Sequence, residues 1–163
     1  MDDMSRDSER LDKGWLIILV IWGAVLSSLV VYVVVCYLVK IPGGTMTIPA
    51  PKVENIKYIL LGLSIVELFV IRFVRNLLIK VRPSEVVTDF DSVQQHPAVV
   101  KYFAATLVST ALAESIAIFG IVIFFMSGDM ASLYLFVTLS AAAMIYFRPR
   151  KEELYAIAEQ MRS

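Results

Sequence analysis

Two glutamates stand where an ionised carboxylate is costly. Glu114 falls in TALAESIAIFG, residues 110–120, and is the only charge in the 25-residue stretch Tyr102–Met126. Twelve helical residues separate it from either end, roughly 18 Å at 1.5 Å per residue, too far for its side chain to reach water. An ionised acid facing lipid there costs about 2.5–3.5 kcal/mol on insertion scales. Desolvation disfavours the charged form. The expected state is a neutral acid, hydrogen-bonded inside protein and able to bind and release a proton. Three uses are open to it: a structural knot, a proton or cation site, or a contact for a bound molecule such as a quinone or lipid headgroup.

Its neighbours point it inward. Thr106, Thr110 and Glu114 recur every four residues as one polar stripe. Beside it runs Ala105, Ser109, Ala113, Ala117 and then Gly120, a small-residue ladder that lets another helix approach closely. Gly23 and Ser27 give the first apolar run a smaller patch of the same kind. The second acid, Glu67, lies five residues before Arg72, only about 7 Å inside the charged boundary. Ser64, Glu67, Ile71 and Arg75 share a helix face. Arg75 is about 12 Å farther along the axis, so interfacial pairing or water contact is expected for Glu67. A sharper alternative joins Glu67 and Glu114 in one proton path.

The stretch ALAESIAIFGIVIFF, residues 111–125, resembles the carboxylate-bearing helix of the proteolipid subunit c of rotary ATPases. The likeness covers residues 105–125 and rests on Ala113, Glu114, Phe119 and Gly120. It implies that Glu114 is an ion carrier, with Thr110 and Ser115 as auxiliary oxygens. The rest of the chain does not match that family.

Other chemistry finds few residues. One Cys36 and one His96 allow no internal disulfide and no Cys/His metal cluster. No nucleophile elbow, phosphate-binding glycine loop or metalloprotease helix occurs. No cofactor, metal or catalytic residue is expected, and the chain is not expected to be an enzyme on its own. The basic cluster Arg72, Arg75, Lys80 and Arg82 is expected to set orientation and meet anionic lipid, not nucleic acid.

The elements that position these residues follow from composition. Of 163 residues, 58% are hydrophobic and 18% charged, against about 45–50% and about 25% in soluble domains. Trp15–Val39 is 25 uncharged residues, longer than a signal-peptide core and enough to span a bilayer. Four spans are expected, near 15–39, 55–79, 99–126 and 131–147. Residues 1–14 form a polar tail, disordered or frayed. Residues 148–163 form a tail with a short amphipathic helix over Lys151–Met161. Breaks are expected at Lys40–Gly44, at Pro49 and Pro51, at Arg82-Pro83 with the polar segment Ser84–Gln95, and at Ser127-Gly128-Asp129.

Twelve of the fifteen Lys and Arg residues fall on one side of that layout, which puts both termini in the cytoplasm. The expected fold is all-α, a four-transmembrane-helix up-down bundle in the inner or plasma membrane. The expected role is a small accessory subunit working by helix–helix association with other membrane subunits or copies of itself. Proton or cation translocation through Glu114 is the alternative.

Overall fold

A computed structural model describes residues 2–39, 50–80 and 97–162; the breaks expected at Lys40–Pro49 and Arg82–Gln95, and His96, lie outside them. Five helices follow in order: α1 Asp2–Val39, α2 Ala50–Lys80, α3 Pro97–Ser127, α4 Met130–Tyr146 and α5 Lys151–Arg162. Two of them, α1 and α3, are long and apolar enough to cross a membrane. The bent pair α4 and α5, meeting at 46°, makes a third candidate if taken as one span. The molecule is thus an all-helical protein with two or three candidate membrane spans.

Helix α3 is the centre, and the other four helices all pack against it. Side-chain layers give the directions. At one end Leu11 and Ile18 of α1 meet Val99 and Tyr102 of α3 and Leu154 and Ile157 of α5. In the middle Leu29, Ile71, Ala113, Ala117, Ala143 and Met144 bring α1 to α4 together. At the far end Cys36 packs with Phe124 and Leu133. So α1 runs parallel to α3, while α2 and α4 run antiparallel to it. Both described chain ends lie at the same end of the bundle.

Two element boundaries differ from expectation. The polar tail is not frayed: α1 begins at Asp2 and continues without interruption. Leu11 is buried against α3 and α5, Lys151 Nζ lies 2.8 Å from Asp12, and Tyr155 donates to Asp12. Gly14 also lets the tail approach α3, since a Cβ there would come within 2.5 Å of Val99. Helix α2 starts at Ala50, earlier than Asn55, with Pro51 in its first turn. A first-turn proline needs no N–H partner and is already near helical φ.

The turn between α3 and α4 is built locally. Gly128 adopts φ 72°, a left-handed conformation that glycine reaches without steric cost, and its N–H bonds Phe124 O at 2.7 Å. Asp129 then caps α4: its Oδ1 accepts from Ala131 N–H at 2.9 Å and its Oδ2 from the Ser132 hydroxyl at 2.5 Å. Lys57 Nζ of α2 approaches the same carboxylate at 3.7 Å.

Candidate functional site

The ladder of small residues is filled from within the chain. Ala105, Ser109, Ala113, Ala117 and Gly120 are all buried. Helix α4 lies against the far half of the ladder. A Cβ on Gly120 would stand 2.8 Å from Phe136 Cβ and 3.3 Å from Leu133 O. The Ser140 hydroxyl donates across the same contact to Ala113 O at 2.6 Å. Ser109 and Thr110 return their hydroxyls to carbonyls one turn back, Ala105 O and Thr106 O. The patch on α1 is different: Ser27 is exposed and bonds Gly23 O, and nothing stands within 4 Å of a Cβ built on Gly23.

Glu114 turns toward α1. Its Oε1 lies 2.8 Å from the Ser28 hydroxyl and 2.5 Å from the Tyr32 hydroxyl. Ser28 and Tyr32 are four residues apart and so share one face of α1. The auxiliary oxygens expected for Glu114 are elsewhere. Thr110 bonds its own helix and lines a cavity of about 10 Å³ with Thr106 and Trp22. Ser115 is the adjacent residue, 100° around the helix, and it serves the other acid.

Glu67 of α2 is hydrogen-bonded to the Ser115 hydroxyl through Oε1, while its Oε2 is buried with no partner among the described residues. This replaces the interfacial pairing expected for it. Arg75 points instead to α4 and α5, donating to Phe147 O at 2.6 Å and to Glu153 Oε2 at 2.5 Å. Glu67 also borders an open apolar groove between α2 and α3, about 220 Å³, with Leu63, Val66, Leu112 and Phe119.

Proton counting constrains both sites. A serine hydroxyl has one proton to donate. Ser28 Oγ lies 2.7 Å from Val25 O as well as 2.8 Å from Glu114. Ser115 Oγ lies 2.7 Å from Leu112 O as well as against Glu67. Each serine is thus wedged between a carbonyl and a carboxyl oxygen. Its one proton is shared between the two acceptors, or both contacts are full hydrogen bonds where the carboxyl brings a second proton. At Glu114 the Tyr32 and Ser28 hydroxyls both donate to Oε1; a proton on that carboxyl would let the acid donate to Ser28 and Ser28 to Val25 O. At Glu67 the Ser115 hydroxyl donates to Oε1; a proton on that carboxyl would let the acid donate to Ser115 and Ser115 to Leu112 O, with Oε2 as the carbonyl oxygen.

Sequence reasoning missed Ser28 and Tyr32. Their i, i+4 spacing within an apolar run was a visible signal, though their hydroxyls are unremarkable until an acid lies opposite. Among the described residues no group of three His, Cys, Asp or Glu could hold a metal ion. Comparison with protein-family models, with curated proteins and with solved structures gives no match.

Proposed function

We propose that the chain is a small polytopic membrane subunit that works by helix–helix association, with Glu114 and Glu67 as neutral clasps. In this reading α1 to α4 all lie in the cell membrane and both termini face the cytoplasm. Placement of Lys and Arg supports the orientation. Helix α2 carries more charge than a free span tolerates, but Glu67 Oε1 is hydrogen-bonded to Ser115, and Arg72 and Arg75 fall in its last turns.

The observation that carries the reading is where the acids' hydrogen bonds go. Between helices in lipid there is no hydrophobic drive, so close packing and hydrogen bonds hold them together. Glu114 ties α1 to α3, and Glu67 ties α2 to α3. The small-residue ladder is buried within the chain, its far half against α4. What remains for other proteins is the outer surface, chiefly Val31, Val34 and Leu38 of α1 and Phe69 and Phe73 of α2, all exposed. Only 11% of the apolar window of α1 is buried, against 44% for α3. A helix packed on one narrow face and exposed over the rest suits a subunit that packs against others.

Photo-crosslinking in intact membranes tests this. A photoreactive residue at Val34 or Phe69 should yield protein adducts of defined mass, either another subunit or a second copy. The same residue at the lipid-exposed Ile118 of α3 serves as comparison. Lipid adducts alone at Val34 and Phe69 would overturn the association reading.

A second reading, reversible proton binding as in the proteolipids, is favoured by one feature: the partnerless Oε2 of Glu67 beside an open groove. That shifts the candidate proton carrier from Glu114 to Glu67. Dicyclohexylcarbodiimide, which enters from lipid and attacks protonated carboxyls, should then modify Glu67 ahead of Glu114. An unmodified Glu67 in the folded protein would remove this reading.

A further inference from the structure

At the charge-rich end of the bundle, the 46° bend between α4 and α5 opens a polar cleft of about 230 Å³ against α2. Its wall carries four arginines, Arg72, Arg75, Arg148 and Arg150, and one acid, Glu153. We infer that this cleft is a binding site for the phosphate of an anionic lipid headgroup.

The charges are not equivalent. Arg75 is the floor: it is 7% exposed, and its guanidinium is held by Glu153 and Phe147 O. Glu153 is steadied in turn by the Tyr102 hydroxyl at 3.1 Å. That ion pair is internally balanced and shapes the cleft. The other three guanidiniums are exposed and have no acidic partner among the described residues. Arg72 makes a single 3.3 Å contact to the Tyr146 hydroxyl. Three uncompensated arginines around one concavity form an anion site, and the planar guanidinium fork fits two phosphate oxygens at once.

Lipid is the source that the surroundings favour. The cleft begins where the apolar run of α4 ends, at Tyr146 and Phe147, an aromatic pair of the kind that sits at headgroup level. Exposed Phe73 of α2 neighbours Arg72 in sequence and offers an apolar surface for an acyl chain. The volume is below the roughly 300–1,000 Å³ of drug-sized ligand sites, which suits a headgroup better than a cofactor. Basic pockets between membrane helices at the cytoplasmic face bind anionic headgroups on the same physical grounds. The inference needs α4 in the membrane but does not depend on the chain having a protein partner.

The test uses the full chain purified in mild detergent, with thermal unfolding followed on adding phosphatidylglycerol, phosphatidylcholine or inorganic phosphate. Phosphatidylglycerol should raise Tm and remain bound in native mass spectra, whereas phosphatidylcholine and inorganic phosphate should do neither. Arg148→Gln/Arg150→Gln should weaken phosphatidylglycerol binding about tenfold or more without lowering Tm in its absence. Arg72→Gln, at an exposed side chain on a different helix, should weaken it in the same direction. Arg10→Gln/Lys13→Gln removes two charges at the same end and should leave binding intact. Equal losses in that control would mean diffuse surface charge, and full binding by the cleft variants would mean no site. An equal effect of inorganic phosphate would make this a soluble-anion site. Each of these results overturns the inference.

Discussion

In the proposed neutral state Glu114 both accepts and donates through one oxygen, which an amide cannot do. Glu114 Oε1 meets Tyr32 and Ser28 together, whereas glutamine offers an oxygen that only accepts and a nitrogen that only donates. Glu114→Gln should therefore lose one of the two contacts, about 0.5–1.5 kcal/mol, while the fold survives. A double-mutant cycle with Tyr32→Phe, read by thermal unfolding in detergent, should show coupling between the two changes. Additive losses would mean that the hydroxyl and the acid do not interact. Asp129 gives a second prediction at this scale. The Ser132 hydroxyl, with help from backbone N–H groups and Lys57 and against partial burial, holds its carboxyl below the usual range. A carboxyl lowered on folding adds stability that is complete above the unfolded value, about 3.9, and is lost as pH falls through the lower folded one. Asp129→Ala should cost about 1 kcal/mol at neutral pH, as loss of an N-cap does. The gap in stability between Asp129 and Asp129→Asn proteins should narrow below about pH 4; a gap that widens on acidification would contradict the assignment. The acids themselves were legible in the sequence because charge inside an apolar run is conspicuous. Their partners were not: Ser28 and Tyr32 become recognisable only once α1 is set beside α3, and sequence carries no lateral distance between helices.

At the scale of the helix, two glycines of similar local sequence should respond with opposite sign. Gly120 faces α4 so closely that a methyl group would strike Phe136, whereas a methyl on Gly23 meets nothing. Gly120→Ala should destabilise the protein by about 1–3 kcal/mol through overpacking. Gly23→Ala should be neutral or stabilising by up to about 1 kcal/mol, since alanine is the better helix former. Thermal unfolding of the two variants side by side checks this, and a stabilising Gly120→Ala would mean that α3 and α4 do not meet there. The ladder on α3 was readable because its spacing marks one face, but the same spacing could not say whose helix fills it. Helix α4 does, with Ser140 bonded to Ala113 O. The patch at Gly23 and Ser27 looked alike in sequence, yet among the described residues nothing stands within 4 Å of a Cβ built on Gly23. The α1 tail was misjudged for a related reason. Its described polar residues are exposed, as expected, but Leu11 and Asp12 gain partners from α3 and α5, about 90 and 140 residues later, which local sequence does not reveal.

For the whole molecule, antiparallel alternation of α1 to α4 follows from the side-chain layers, and the proposed orientation adds a side to each end. Single cysteines in a Cys36→Ala background test it. Ala131→Cys, at the exposed start of α4, should react with an impermeant thiol reagent from outside intact cells. Glu152→Cys, exposed on α5, should react only after the membrane is opened. Labelling of Glu152→Cys from outside would invert or break the four-span arrangement. Composition made the all-helical class with apolar candidate membrane spans legible, while the direction read from Lys and Arg belongs to the proposed reading. Composition also read α2 as a span, but α2 is not among the described helices apolar enough to cross a membrane by themselves, because Glu67, Arg72 and Arg75 interrupt its apolar run. The reading at every scale depends on both acids being neutral ties between helices, and infrared spectroscopy of the purified protein at neutral pH tests that most directly. Subtracting the spectrum of Glu114→Gln, and separately that of Glu67→Gln, from the unsubstituted protein should each reveal a lost carboxylic-acid C=O band. Loss of carboxylate bands instead would show that the acids are ionised and that the clasps are not what hold α1 and α2 to α3.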